Sequence, residues 1–311
     1  MTIAPGLPFS PPGIAIVAPS GYGPDNTAIA RGVARLEALG CKVHNYFDSA
    51  RVFQRFAASD DARLAMLVDA AANPEVRIVM ALRGQYGLTR LLPRIDFERM
   101  AASGKLFVGF SDFTAFQMGL LARTGAVSFA GPMLYSDFAP EQPDAFTLHD
   151  FWTCLAGPVH LIEGSAAGNP DVDVTGTVWG GNLAMLASLL GTPYLPQVEG
   201  GILFIEDVNE HPYRVERMLL QLHQAGVLAR QRAVILGDIS DYRLAPSDNG
   251  YDVDAMLAYL RASLPLPLLC GLRFGHGRTR VTIPVGAPAS LRCRDAAFAL
   301  TVRDYPTLAP R

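Results

Sequence analysis

Ile14 to Ala18 is a short unbroken run of apolar residues, the pattern of a strand buried on both faces. A turn at Ser20 to Pro24 follows it. Asn26 stands where a helix cap belongs, and Ile29, Val33 and Leu36 recur at helical spacing until Gly40 stops the pattern. Lys42 to Tyr46 reads as a second strand. Leu64, Leu67 and Val68 mark one face of a helix over about Asp61 to Ala72. Arg77 to Leu82 and Lys105 to Phe110 are two more strands, and a helix is expected from about Asp112 to Arg123. Strand and helix in repeated alternation predict a parallel sheet with helices on both faces.

The regularity weakens between Pro140 and Asp173. Pro140, Pro143, Gly157, Pro158, Gly164 and the Ala-Ala-Gly-Asn-Pro run ending at Pro170 gather there. A domain boundary in this stretch divides the chain into an α/β unit, residues 1–160, and a mixed β/α unit, residues 161–311. The second half shows strand patterns at Gly201 to Glu206, Ala233 to Ile239, Leu268 to Phe274 and around Val281. Helices are expected near Asn182, Pro212 and Val253.

Composition changes the picture in one respect. Half of the 311 residues are apolar and only 18% are charged, so a membrane location has to be tested first. Met1 to Pro24 and Val174 to Val198 are uncharged for about the length of a bilayer span, except that Pro and Gly break both. Neither is expected to cross a membrane, so the apolar excess belongs in a core or an interface. A formal net charge of −3 gives no electrostatic reason to bind nucleic acid. The four cysteines, Cys41, Cys154, Cys270 and Cys293, are far apart, which fits a reducing cytoplasm.

Several segments carry candidate chemistry. Gly21-Tyr22-Gly23 follows the first strand as a phosphate-binding turn would, but Asn26 stands where the third glycine of a dinucleotide fingerprint belongs. The six histidines form no HExxH pair or other ligand cluster, and no metal site is expected. Ser111 lies between the strand pattern ending at Phe110 and the helix pattern beginning at Asp112. A sharp turn there exposes its hydroxyl beside free helix-start amides, where an oxyanion is stabilised. On local pattern alone, an N-cap serine is the simpler reading. A serine nucleophile needs a base and an orienting acid. His276, set between Gly275 and Gly277 just past an apolar strand, can supply the base. Glu206 or Asp207, at the end of the strand Ile202 to Ile205, can supply the acid. Periodicity does not choose between the two.

The chain resembles the LD-carboxypeptidase family of serine peptidases. The resemblance rests on Ala18-Pro19-Ser20-Gly21, Arg83-Gly84-Gln85-Tyr86-Gly87 with Arg90-Leu91-Leu92-Pro93, and Gly109-Phe110-Ser111-Asp112-Phe113-Thr114-Ala115. It continues through Gly131-Pro132-Met133, Trp179-Gly180-Gly181-Asn182-Leu183, Phe204-Ile205-Glu206-Asp207-Val208, and Phe274-Gly275-His276 with Pro284-Val285-Gly286. These segments stand in family order and span nearly the whole chain. Two positions depart from the pattern. Gln85 replaces the second glycine of a pair and is strained if that position needs a positive φ. Ala130 replaces a histidine before Gly131-Pro132.

The resemblance implies an α/β fold: an N-terminal parallel-sheet domain, a smaller, mostly β C-terminal domain, and an active site between them. It implies a Ser111–Glu206–His276 triad, and so selects Glu206 over Asp207. The Asp112 amide and an amide of the Gly84–Gln85 loop would hold the oxyanion. Arg83 is a candidate for the substrate's free carboxylate, with a surface salt bridge as its ordinary alternative. The implied substrate is a murein tetrapeptide that loses its terminal D-Ala in cell-wall recycling, without metal or organic cofactor, and commonly by a homodimer. A peptide–nucleotide conjugate, as for the microcin-immunity relatives, is an alternative substrate. A non-catalytic nucleotide-binding protein is the alternative from a different class.

Overall fold

The computed structural model describes residues 7–308. The first sheet is built from β1 (Gly13–Val17), β2 (Lys42–Asn45), β3 (Ile78–Ala81), β4 (Leu106–Gly109) and β5 (Ser128–Ala130), parallel in the order β2-β1-β3-β4-β5. Helices α1 (Asn26–Ala38), α2 (Asp60–Ala72), α3 (Phe97–Ala102) and α4 (Thr114–Thr124) form the successive crossovers. All residues of β3 and β4 are buried, as the unbroken apolar runs require.

Helix α4 is buried from Thr114 through Leu120. It packs on α3, and on the second half of the chain through β7 (Val172–Asn182) and α6 (Leu183–Ser188). A helix covered this fully is apolar on most sides rather than along one stripe.

After α5 (Ala145–Ala156) and β6 (Val159–Ser165), the chain builds its second sheet. The strands following β7 are β8 (Gly201–Val208), β9 (Gln231–Ser240), β10 (Leu268–Cys270), β12 (Pro288–Arg294) and β13 (Ala297–Arg303), in the order β10-β9-β8-β7-β12-β13-β6. The β7–β10 part is parallel and carries α6, α7 (Pro212–Gln224) and α8 (Val253–Ser263); the remainder is antiparallel. The α/β class expected from the alternation is the class found. Strand β11 (Ile283–Val285) leaves the second half and adds antiparallel to β5, extending the first sheet.

Local details differ from the sequence reading. Asp25, not Asn26, caps α1; its carboxylate accepts from the amides of Thr27 and Ala28. Both residues are good caps, so pattern alone could shift the start by one. The Pro140–Asp173 stretch holds α5 and β6 despite its prolines and glycines. The apolar run Leu268 to Phe274 is a strand only through Cys270, because Gly271 takes a φ of 94°. The uncharged Val174–Val198 stretch is most of β7, α6 and a loop. Of Met1 to Pro24, residues 1–6 lie outside the described residues. Among the described residues no helix is long and apolar enough to cross a membrane.

Candidate active site

Ser111 sits on a tight elbow between β4 and α4. It takes a φ of 62°, a left-handed conformation costly for a residue with a Cβ. A 3-10 turn, Ser111–Phe113, then leads into α4. Gly109 lets the elbow close, since a Cβ there would meet the Phe113 ring at 2.8 Å and the Ala81 side chain at 3.0 Å. Ser111 Oγ lies 3.1 Å from His276 Nε2.

His276 stands in a loop held from behind. Gly275 has a φ of 149°, and a Cβ on Gly275 or Gly277 would come within 2.7 Å of the Asp238 side chain. The Gly277 amide donates to Asp238 Oδ2 at 3.2 Å. The two glycines flanking the histidine therefore reflect close approach by Asp238. Arg280, 3% exposed, donates to the carbonyls of Gly275 (3.2 Å) and Gly277 (2.8 Å) and pairs with Asp137 from the first half of the chain. Its guanidinium lies 4.3 Å from the centre of the Phe110 ring, which packs edge-to-face with the His276 ring at a centre-to-centre distance of 5.1 Å. Burial lowers the pKa of Arg280 to about 10, so it remains a cation at neutral pH.

Glu206, fully buried in β8, presents Oε2 to His276 Nδ1 at 2.7 Å. Asp207, the next residue, turns its carboxylate to other donors. Its carboxylate accepts from the Ala184 amide in the first turn of α6 and from the following Val208 amide, both at 2.8 Å. Burial and then the Glu206 charge raise its pKa to about 6. Burial disfavours the His276 imidazolium, but the hydrogen bond and charge of Glu206, aided by Asp207 and Asp241, outweigh it. The His276 pKa is raised above its ordinary value.

The loop after β3 completes the cluster. A Cβ on Gly84 would lie 2.7 Å from Ser111 Oγ and 3.4 Å from the Asp112 amide nitrogen, so the loop backbone runs directly past the serine. Gln85 takes a φ of 82°, the positive value suspected from its replacement of a glycine. The Asp112 side chain faces away from the cluster and accepts from Ser20 Oγ at 2.6 Å and the Leu88 amide at 2.9 Å, tying the elbow to this loop. Arg83 is half-buried, donates to the Tyr22 carbonyl at 3.2 Å and lies 5.1 Å from the Tyr135 ring centre. Among the described residues no carboxylate lies within ion-pair range of it, so the surface salt bridge is not formed.

A cleft of about 440 Å³ opens beside His276, lined also by Ser136, Gln142, Asp144 and Arg278. Several contributors to this site, Asp238 and Asp137 among them, received no role from the sequence, and two stand out. One is Arg280, for which no sequence signal existed. The other is Asn182, quoted within a motif, whose side chain donates to Glu206 Oε1 and Asp207 Oδ1, both at 3.1 Å. Among the described residues no group of three or more His, Cys, Asp or Glu side chains could hold a metal ion.

The geometry fits the chemistry of a serine hydrolase: a strained, half-buried serine, an imidazole bonded to it, and a buried carboxylate on the other ring nitrogen. Comparison with known proteins agrees. Residues 14–131 match the LD-carboxypeptidase N-terminal domain model, and residues 175–291 match the LD-carboxypeptidase C-terminal domain model. A muramoyltetrapeptide carboxypeptidase crystal structure from Oxalobacter formigenes is similar over 95% of this chain and 100% of that chain, at 50% identity and a TM-score of 0.91. A probable murein peptide carboxypeptidase of Bacillus subtilis is 29% identical over 89% of this chain and 88% of its own length. A structure of MccF in complex with glutamyl sulfamoyl guanosine shares the fold, with a TM-score of 0.86 at 22% identity over 97% of this chain and 99% of that chain. The chain belongs to the LD-carboxypeptidase family and is a serine-type carboxypeptidase.

Proposed function

We propose that the enzyme hydrolyses the bond before a C-terminal D-amino acid, the D-Ala of a murein tetrapeptide, through an acyl-enzyme on Ser111. His276 Nε2 removes the Ser111 proton as the hydroxyl attacks the carbonyl. Glu206 holds the His276 tautomer and stabilises the imidazolium. The Asp112 amide belongs to the first turn of a helix, where N–H groups lack intrahelical partners. Together with an amide of the Gly84–Gln85 loop, it receives the developing oxyanion. His276 then protonates the leaving amine, and water releases the tripeptide. Arg83, a half-buried cation with no carboxylate partner among the described residues, takes the substrate's terminal carboxylate.

The observation that carries this reading is the continuous contact from Ser111 Oγ to His276 Nε2 at 3.1 Å and from His276 Nδ1 to Glu206 Oε2 at 2.7 Å. The substrate assignment draws on the murein carboxypeptidases among the relatives. It places the enzyme in cell-wall recycling. The unpaired cysteines are compatible with the reducing cytoplasm expected there. The homodimer belongs to the same proposal and is read by sedimentation.

The shared fold with MccF favours one second reading, cleavage of a peptide–nucleotide conjugate. A plain nucleotide-binding role finds less support. The α1 N-terminus, where a phosphate would seat, is occupied by the Asp25 carboxylate. A substrate panel tests the proposal: D-Ala release from lysine- or diaminopimelate-containing tetrapeptides against cleavage of an aminoacyl sulfamate. Cleavage of the sulfamate alone would transfer the assignment to the second reading, and binding of either without turnover would remove both.

A further inference from the structure

Asn182 ends β7, directly across the parallel register from Glu206 on β8. It is 6% exposed, and each polar group of its side chain has a partner. Nδ2 donates to Glu206 Oε1 and to Asp207 Oδ1, both at 3.1 Å. Oδ1 accepts from the Met185 amide at 3.1 Å, capping α6. These partners fix the amide orientation, because the flipped form would turn its oxygen toward two carboxylates. The Asn182 backbone amide donates to Thr114 Oγ1 at 3.1 Å, at the first residue of α4, immediately after the Ser111 turn. Gly181 permits that approach: a Cβ on it would lie 2.5 Å from Thr114 Oγ1.

We infer that Asn182 is a positioning residue that orients Glu206 toward His276 and keys it to the helix carrying Ser111. Glu206 has two carboxylate oxygens and one productive partner. With Oε1 engaged by Asn182, Oε2 is left to His276 Nδ1. Asp207 shares the same amide group, so the two adjacent buried carboxylates are held apart by one neutral donor instead of a cation, which would compete with the imidazolium for Glu206. The Thr114 contact ties this arrangement to the first half of the chain, so Ser111 and Glu206 are registered through a single residue.

The inference rests on the proposed triad, and its test separates the two. Asn182→Ser keeps an N-cap oxygen for α6 but has no NH2 for Glu206. Asn182→Asp also keeps the cap and turns a carboxyl oxygen toward Glu206. Two readouts are taken at neutral pH: kcat and KM for D-Ala release, and the rate of Ser111 labelling by a fluorophosphonate, which needs no substrate assignment. The expected result for Asn182→Ser is a fall of about 10- to 100-fold in kcat and labelling at unchanged KM, the scale of one hydrogen bond to a charged group, with a lowered Tm from the lost donor and a native circular dichroism spectrum. Asn182→Asp falls at least as far. In a Glu206→Gln background, where the carboxylate to be oriented is gone, Asn182→Ser costs less than about threefold. Equal losses in both backgrounds, or no loss in the wild-type background, overturn the positioning role. If the wild-type enzyme neither reacts with fluorophosphonate nor releases D-Ala, the triad reading itself fails and this inference falls with it.

Discussion

At the scale of single residues, the site depends on conformations that side chains ordinarily avoid. Ser111 and Gln85 both carry positive φ, at 62° and 82°. Ser111 gains from its strain, because the turn points the hydroxyl out of the helix and at His276. Ser111→Ala is expected to lower kcat for D-Ala release by about 10⁴- to 10⁶-fold with the fold intact, measured with circular dichroism as the control. Gln85 has no comparable role for its side chain, and its backbone strain is a cost. Gln85→Gly is expected to raise stability by about 1 kcal/mol in urea unfolding, relief of the left-handed strain outweighing the added freedom of the unfolded chain.

His276 sets the pH dependence. It must be neutral to accept the serine proton, and its pKa is raised because the Glu206 hydrogen bond and charge outweigh burial. Turnover is therefore lost on acidification, with kcat/KM rising through a midpoint above the ordinary histidine value of about 6.5. Glu206→Gln removes the charge and is expected to move that midpoint down. A pH–rate profile in which the midpoint stays fixed would separate Glu206 from the titration. The linked stability has the matching sign: the contribution of protonated His276 is present below the unfolded-state pKa and lost as pH rises through the folded-state value.

At the scale of elements, the site is the meeting of several chain segments that approach closely. The β4–α4 elbow, the loop after β3 and the first turn after β1 are joined by Asp112, which accepts from Leu88 and Ser20. Burial raises its pKa, opposed by those same hydrogen bonds. Asp112→Ala leaves the Leu88 amide without its partner and is expected to cost about 2–3 kcal/mol in denaturant unfolding, with a loss of turnover from the displaced loop. The elements themselves were largely legible. Ile14–Ala18, the helical spacing of Ile29, Val33 and Leu36, and the buried run before Ser111 all obey simple periodicities. Boundaries were less so. Asp25 and Asn26 are interchangeable as caps, and the prolines between Pro140 and Asp173 suggested irregularity where α5 and β6 form.

At the scale of the whole molecule, residues far apart in sequence become dependent on one another. Arg280 reaches across to Asp137 while clamping the carbonyls on both sides of His276. Arg280→Ala strands a buried carboxylate and is expected to destabilise the protein by about 3–5 kcal/mol. The double variant Arg280→Met, Asp137→Leu should recover most of the stability but not the activity, because the carbonyls on either side of His276 then lose their clamp. Thermal unfolding paired with D-Ala release distinguishes those two effects.

Half of the chain is apolar, and the fold places that excess in two sheets, in helix α4 and where the two halves meet. The sequence by itself determined the alternating strands and helices of the first half, from Ile14 to Arg123, and the strands around Glu206 and Ile235, since these follow from local spacing of apolar residues. It also determined the identities of Ser111, Glu206 and His276 as candidates, since each lies at the end of a strand pattern and in a segment resembling the family's. It did not determine which of Glu206 and Asp207 faces the histidine; only the resemblance chose between them. The tertiary structure decided that geometry, because the donors that meet each carboxylate are set by the packing of other elements: the His276 loop reaches Glu206, and the start of α6 reaches Asp207. The roles of Asn182 and Arg280 were invisible for the same reason. Neither has a local signature, and each acts through partners that only the folded chain brings within hydrogen-bond distance.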